Sequence, residues 1–281
     1  MNFTYISPKN QEEALAILAE HSTNAAVLAG GTDLLLAIKD EVKTPSVLID
    51  LKPSNILNSI EEDKAGNLNI GAFTTVREIE KSDLIASKYP FFQKSAAMLG
   101  SVQIRNRATI GGNLCNASPC ANLALPLLAL DAEVLLEKKG GSRKISINDF
   151  FISNGITAKA DDEMLTHIFI PKNDGKGVFI FHSKRRAMDI AVVAVCINLL
   201  KDDDNKITDI RIALGSVAPV PMRAKKAEEM IRGNVLNDKL IVESAQCASD
   251  ESNPIDDARA SAWYRREMVK SLVARGLSSL K

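Results

Sequence analysis

The sequence lacks several things, and each absence narrows what it does. Net charge is absent, since 35 Lys and Arg balance 35 Asp and Glu, and no basic block stands out from the acidic residues around it. Nucleic acid, whose binding rests on phosphate neutralisation, is therefore a poor first partner. Aromatic residues are scarce. Cysteine is sparse too, with Cys115, Cys120, Cys196 and Cys247 in 281 residues, too few for a secreted disulfide framework. Met1–Asn10 has neither a basic start nor an apolar stretch, so a secretory leader is not expected and the thiols read as reduced in a cytoplasmic protein. The longest apolar run, Ile190–Leu200, carries Asn198 and is eleven residues long, whereas a membrane span needs about 20. Neither G-x-G-x-x-G nor G-x-x-x-x-G-K-[ST] occurs, which removes support for a nicotinamide Rossmann site and for a P-loop.

What is present is a hydrophobic fraction of 46% over 281 residues, enough for a packed chain without disulfide or metal staples. Length argues for two domains. Residues 1–50 read as a small parallel α/β unit. Asn10 and Glu13 form a capping-box-like start that sets Ala14, Ile17 and Leu18 on one helical face. Ala25–Ala29 and Val47–Ile49 are short apolar strands with a helical Asp33–Asp40 between them.

From residue 67 the pattern changes. Leu68–Ala72 reads as a strand, and Thr75 with Glu78 opens a helix that Pro90 interrupts and that resumes over Pro90–Leu99. Gly100–Asn122 is a long irregular stretch, which inside a compact domain is functional or disordered. Ala132–Lys138 and Lys144–Ile147 bracket Gly140-Gly141 as a hairpin. Asn173–Gly177 is the linker candidate. Beyond it, strands Val178–Phe181, Ala191–Leu200 and Ile207–Leu214 precede helical segments Lys225–Arg232, Lys239–Ser249 and Ala262–Leu280.

Two segments poor in side chains carry the chemistry. In Ala29-Gly-Gly-Thr-Asp33 the paired glycines let backbone N–H groups approach a ligand closely, and the following helix start suits a phosphate. The same turn also reads as a tight βα connection with Thr32 or Asp33 as N-cap. A second pair, Gly111-Gly112, lies 81 residues later, flanked by Thr109, Asn113, Asn116 and Ser118. These short polar groups match phosphate, ribityl and ring-edge atoms, or else satisfy their own turn.

Ala29-Gly-Gly-Thr-Asp-Leu-Leu35, Gln103-Ile-Arg-Asn-Arg-Ala-Thr-Ile-Gly-Gly-Asn-Leu-Cys-Asn-Ala-Ser-Pro119 and Arg185-Arg-Ala-Met-Asp-Ile-Ala191 together resemble the FAD-binding medium subunits of molybdenum hydroxylases, the xanthine dehydrogenase and carbon monoxide dehydrogenase flavoprotein family. The resemblance runs along essentially the whole chain. It implies an α+β fold: a PCMH-type FAD-binding domain of two α/β subdomains (about 1–55 and 56–175), then a C-terminal domain (176–281) of a three-stranded antiparallel sheet with a helical bundle.

The cofactor implied is FAD. Its pyrophosphate would be wrapped by Val27, Leu28, Ala29, Gly30, Gly31, Thr32, Asp33 and Leu34, with Thr109, Ile110, Gly111, Gly112 and Asn113 on the other side. Leu99, Asn116, Ser118 and Leu165 match further positions near the flavin. Asn122 stands where many relatives have an aspartate, and Phe181 or His182 where they have a lysine; His182 is placed near the flavin.

The implied role is electron transfer. A large subunit would carry the molybdopterin cofactor and a small subunit the [2Fe-2S] clusters, in a heterotrimer whose dimerisation is left open, with NAD or another molecule as acceptor. An assembly module without flavin, or a stand-alone flavoprotein oxidoreductase, stays open as an alternative.

No acid–base residue is assigned, since flavin chemistry belongs to the ring. The four cysteines are too scattered for an iron–sulfur site. His21 reads as a helix-end cap and His167 as an ordinary strand residue. Arg185, Arg186 and Asp189 read as a subunit contact or a local ion pair. Trp263 and Tyr264 read as core or interface packing.

Overall fold

A computed structural model describes residues 3–54 and 56–281. Its first sheet is parallel, in the order Thr4–Ile6, Val47–Asp50, Ala25–Leu28. Parallel neighbours need crossover connections, and the helices Gln11–His21 and Leu34–Lys39 supply them. The central strand is covered on both sides and wholly buried, which accounts for its unbroken Val-Leu-Ile run. Asn10 caps the first helix by accepting from the Glu13 N–H at 2.8 Å. Glu13 turns its carboxylate to the Lys9 N–H at 2.7 Å, so the box closes on one side only.

The second sheet is antiparallel, in the order Ile60–Glu62, Leu68–Gly71, Met164–Ile170, Glu133–Lys138, Gly141–Ser146. Thr75 and Glu78 form the reciprocal capping box of helix Val76–Lys81. The helical run breaks first at Ser82, whose hydroxyl caps Asp83–Lys88. Pro90 opens the next helix, Pro90–Ala97, at a position where its missing N–H leaves no bond unmade. The stretch 100–122, expected to be irregular, holds two short helices, Val102–Arg105 and Ile110–Cys115, started by Ser101 and Thr109. Each is too brief to show a helical period in sequence.

The C-terminal sheet runs Lys176–His182, Val193–Lys201, Ile207–Gly215 and then Met222–Arg223. Three strands match those read from sequence. The fourth is two residues long and carries no pattern of its own. Along this sheet the side chains alternate between two cores. Phe179, Ala194, Cys196 and Ala213 pack with the first 173 residues, while Ile180, Val193, Val195, Ile197, Ile212 and Leu214 pack with helices Lys225–Ile231, Asp238–Glu251 and Ala262–Leu280. Burial on both faces makes the strands almost continuously apolar.

Polar groups fix the junction. Asn198, buried in its strand, donates to the Ala129 carbonyl at 3.2 Å and to Asn173 Oδ1 at 2.9 Å. Asp131 meets Arg211 at 3.7 Å and Arg223 at 3.6 Å.

Candidate functional site

A cleft of about 1510 Å³ has three main walls, the loop after Ala25–Leu28, the segment from Leu99 to Asn122 and the C-terminal unit, with further lining from Ala72, Phe73 and residues 154–165. Drug-sized ligands fill roughly 300–1,000 Å³, so the space is large enough for an extended dinucleotide.

The first wall is Ala29–Asp33. Gly31 is left-handed (φ +76°), which a residue with a side chain adopts only at a cost. Gly30 lies so close to the second motif that a Cβ there would stand 2.1 Å from the Arg107 carbonyl oxygen; the two distant segments therefore touch. Asp33 sits at the N-cap position of Leu34–Lys39 but makes no capping bond, so the segment is a short βα connection without the side-chain cap. Among the described residues the N–H groups of Gly31, Thr32 and Asp33 have no protein acceptor. Three such donors on residues that line the cleft suit a diphosphate.

The second wall is built differently. The Ile110 N–H donates to the Thr74 carbonyl at 3.0 Å, and the Gly111 N–H donates to the Ala72 carbonyl at 2.9 Å. The Gly112 N–H donates to Thr109 Oγ1 at 3.1 Å. Its amides are already engaged, so it meets a ligand with side chains. Asn113 accepts from the Leu123 N–H at 3.3 Å and Ser118 from the Cys120 N–H at 3.2 Å, which leaves the Asn113 amide protons and the Ser118 hydroxyl proton to donate. Asn116 is exposed at the mouth, and Asn122 is 7% exposed on the inner wall. Leu99 and Leu165 contribute apolar surface. Leu165 precedes a bulge in the pairing of Met164–Ile170 with Glu133–Lys138, the kind of irregularity that re-aims a side chain.

Sixteen of the nineteen residues expected to hold the cofactor line this cleft: Val27, Ala29, Gly30, Gly31, Thr32, Asp33, Leu34, Leu99, Thr109, Gly111, Gly112, Asn113, Asn116, Ser118, Asn122 and Leu165. Three do not. Leu28 alternates inward from its strand and packs with Ile38 and Leu48. Ile110 is fully buried in the main core. His182 is paired with Val193 at the end of its strand and its Nε2 meets the Tyr264 hydroxyl at 3.1 Å, which turns it to the last helix.

The third wall supplies none of the residues expected to hold the cofactor, although its Met188–Ile190 lie inside the Arg185–Ala191 motif. Met188, Asp189 and Ile190, Ser216, Asn253–Ile255, Asp257 and Arg265 all line it. Arg265 is 2% exposed and donates to the Val192 carbonyl at 2.7 Å, the Ser216 carbonyl at 2.9 Å and Asp257 Oδ1 at 2.7 Å. A signal existed, for Arg265 lies on the same helical stripe as the buried Val269, Leu272 and Gly276.

Burial opposes ionisation of Asp257, but bonds from the Arg259 and Ala260 amides and the Arg265 guanidinium outweigh it and hold the carboxyl below its usual range. Asp189 is lowered chiefly by the Arg185 N–H at 2.9 Å, with the Arg185 guanidinium at 3.4 Å, so the local ion pair is present. Burial pushes the Cys115 thiol up to about 11 and Cys196 well above its ordinary value; neither is a thiolate at neutral pH. Trp263 is 70% exposed and joins none of the cores formed by the described residues.

Comparison with known proteins names the class this arrangement belongs to. Residues 1–173 match the FAD-binding domain of molybdopterin dehydrogenases, and residues 180–280 match the C-terminal domain of the carbon monoxide dehydrogenase flavoprotein. The chain belongs to this family: it is an FAD-binding medium subunit of the molybdenum hydroxylases, an oxidoreductase subunit with FAD as its cofactor.

Among individual relatives, the glyceraldehyde dehydrogenase medium chain of Sulfolobus acidocaldarius is 35% identical, over 99% of this chain and 98% of its own. The nicotinate dehydrogenase FAD-subunit of Eubacterium barkeri is 32% identical, over 96% and 93%. A chain of reconstituted CO dehydrogenase from Oligotropha carboxidovorans superposes with a TM-score of 0.95 at 28% identity, over 100% of this chain and 98% of that one. Among the described residues no helix is long and apolar enough to cross a membrane.

Proposed function

We propose that FAD lies in the three-walled cleft and that the chain is the electron-transferring subunit of a larger complex. A molybdopterin-binding large subunit would oxidise the substrate, a [2Fe-2S] small subunit would pass the electrons on, and NAD or another acceptor would receive them from this subunit, in the cytoplasm. The observation that carries the placement is the row of amides at Gly31–Asp33 without a protein acceptor, on residues that line one cleft with Thr109, Asn113 and Ser118.

FAD supplies the redox chemistry, since its ring takes up electrons singly or in pairs. The protein's part is to hold and place it. The amides of Gly31, Thr32 and Asp33 would donate to the pyrophosphate, the side chains of Asn113, Asn116 and Ser118 to the chain and ring edge, and Leu99 and Leu165 would exclude water. Residues 1–175 would supply these two walls and residues 176–281 the third. Relatives named for glyceraldehyde, nicotinate and carbon monoxide match 99%, 96% and 99% of this chain, and such varied names on one shared chain support a substrate pocket on another subunit.

The test is direct. Purified protein, or its apo form given FAD, is expected to be yellow with absorbance near 450 nm, and Gly112→Val is expected to be folded and colourless. A wild-type chain that refuses FAD, or a Gly112→Val variant that keeps it, overturns the placement.

A further inference from the structure

Helix Val76–Lys81 does not line the cleft, yet it holds two of the segments that do. At its start the Val76 N–H donates to the Ala108 carbonyl at 2.8 Å, and the Ile110 N–H donates to the Thr74 carbonyl at 3.0 Å, which fixes the Thr109 segment. Further along stands Glu80, and Glu80 holds Arg105.

Arg105 is 8% exposed and uses its guanidinium in two directions. Nε and Nη2 donate to the Glu80 carboxylate at 2.7 and 3.3 Å. Nη1 donates to the Leu99 carbonyl at 3.0 Å and the Gly100 carbonyl at 3.2 Å. These two carbonyls belong to a bend in which Gly100 is left-handed (φ +51°), and Leu99, Gly100 and Ser101 line the cleft. Arg105 itself lines no part of it. A planar fork spans the carboxylate and the two carbonyls at once, whereas the three donors of an ammonium radiate from one atom and do not reproduce its bidentate geometry.

We propose that Arg105 is a positioning residue of the cofactor cleft: it ties the Leu99–Gly100 bend to Glu80, so that this wall is formed before FAD arrives. The inference rests on the placement of FAD given above. A wall ordered in advance spares the ligand the cost of ordering it. Glu80 keeps a second cation, Arg77 at 2.8 Å, so loss of the Arg105 side chain leaves that carboxylate paired.

The experiment compares full-length wild type, Arg105→Met, Arg105→Lys and Arg77→Met, each stripped of flavin. FAD affinity is read by flavin fluorescence, the flavin's surroundings by visible circular dichroism, and the fold by far-ultraviolet circular dichroism. Arg105→Met is expected to bind FAD on the order of tenfold more weakly with an altered visible spectrum, and Arg105→Lys to fall between. Arg77→Met, which takes a cation from Glu80 without freeing either carbonyl, is expected to bind as wild type does. Wild-type affinity and spectrum in Arg105→Met overturn the proposal, as does an equal loss in Arg77→Met. If Arg105→Met does not fold, wild-type behaviour of Arg105→Lys overturns it. A Gly112→Val variant that retains FAD is a separate result and counts against the cleft instead.

Discussion

The loops Ala29–Asp33 and Thr109–Asn113 each carry a glycine pair, and they use it differently. In both, one glycine serves packing: a Cβ at Gly30 would stand 2.1 Å from the Arg107 carbonyl oxygen, and one at Gly111 would stand 2.7 Å from that of Ala72. All four border the cleft, but a Cβ at the second member of each pair, Gly31 or Gly112, would meet only side-chain atoms. There the likeness ends, because the first loop keeps its amides free while the second donates its amides to Ala72, Thr74 and Thr109. The first loop is a set of main-chain donors; the second is a rigid mount for side chains. A glycine-rich motif therefore does not by itself mean that backbone meets ligand.

The comparison predicts effects of graded size. Gly30→Val forces the two loops apart, and overpacking of this kind costs about 1–3 kcal/mol; both thermal stability and FAD binding are expected to fall, seen by melting and by flavin absorbance. Gly112→Val is expected to separate the two readouts. A Cβ there would meet only Thr109 Oγ1 at 3.0 Å, and Gly112 lines the cleft, so the variant is expected to lose FAD while its melting temperature moves little; an equal fall in both would erase the distinction drawn between the members of a pair. Thr109→Val removes the cap on Gly112, worth about 1 kcal/mol, and should lower the melting temperature with a smaller effect on FAD.

Asp257 extends the test to the third wall. Its folded carboxyl lies below the ordinary value, so its contribution is complete above the unfolded value of about 3.9 and is lost as pH falls through the folded one. Asp257→Asn is therefore expected to be less stable than wild type at neutral pH and to converge with it in acid, measured by denaturant unfolding against pH. Trp263→Ala is expected to change stability by less than about 0.5 kcal/mol, since the ring is 70% exposed.

Much of this was readable beforehand. The cap at Thr75, the hairpin at Gly140, the three long C-terminal strands and both glycine motifs rest on local rules, and a local rule needs only neighbouring residues. The reading missed what depends on distance. Met222–Arg223 is a strand only because Ala213 and Leu214 lie beside it. His182 faces Tyr264, 82 residues away, and no spacing announces that. Leu28 and Ile110 sit inside their motifs but point away from the cleft, because strand and helix geometry turns alternate side chains to the core.

Composition and apolar patterning by themselves determined a packed chain of helices and strands, and the resemblance of three motifs, in order along the polypeptide, placed it among flavoproteins of one family. The tertiary structure decided which amides stay free, that a third wall comes from the C-terminal unit, and that Arg105 and Arg265 are buried with backbone carbonyls as partners. The reason is physical: a hydrogen-bond donor is available to a ligand only if no folded neighbour takes it, and the neighbours are chosen by packing across the whole chain.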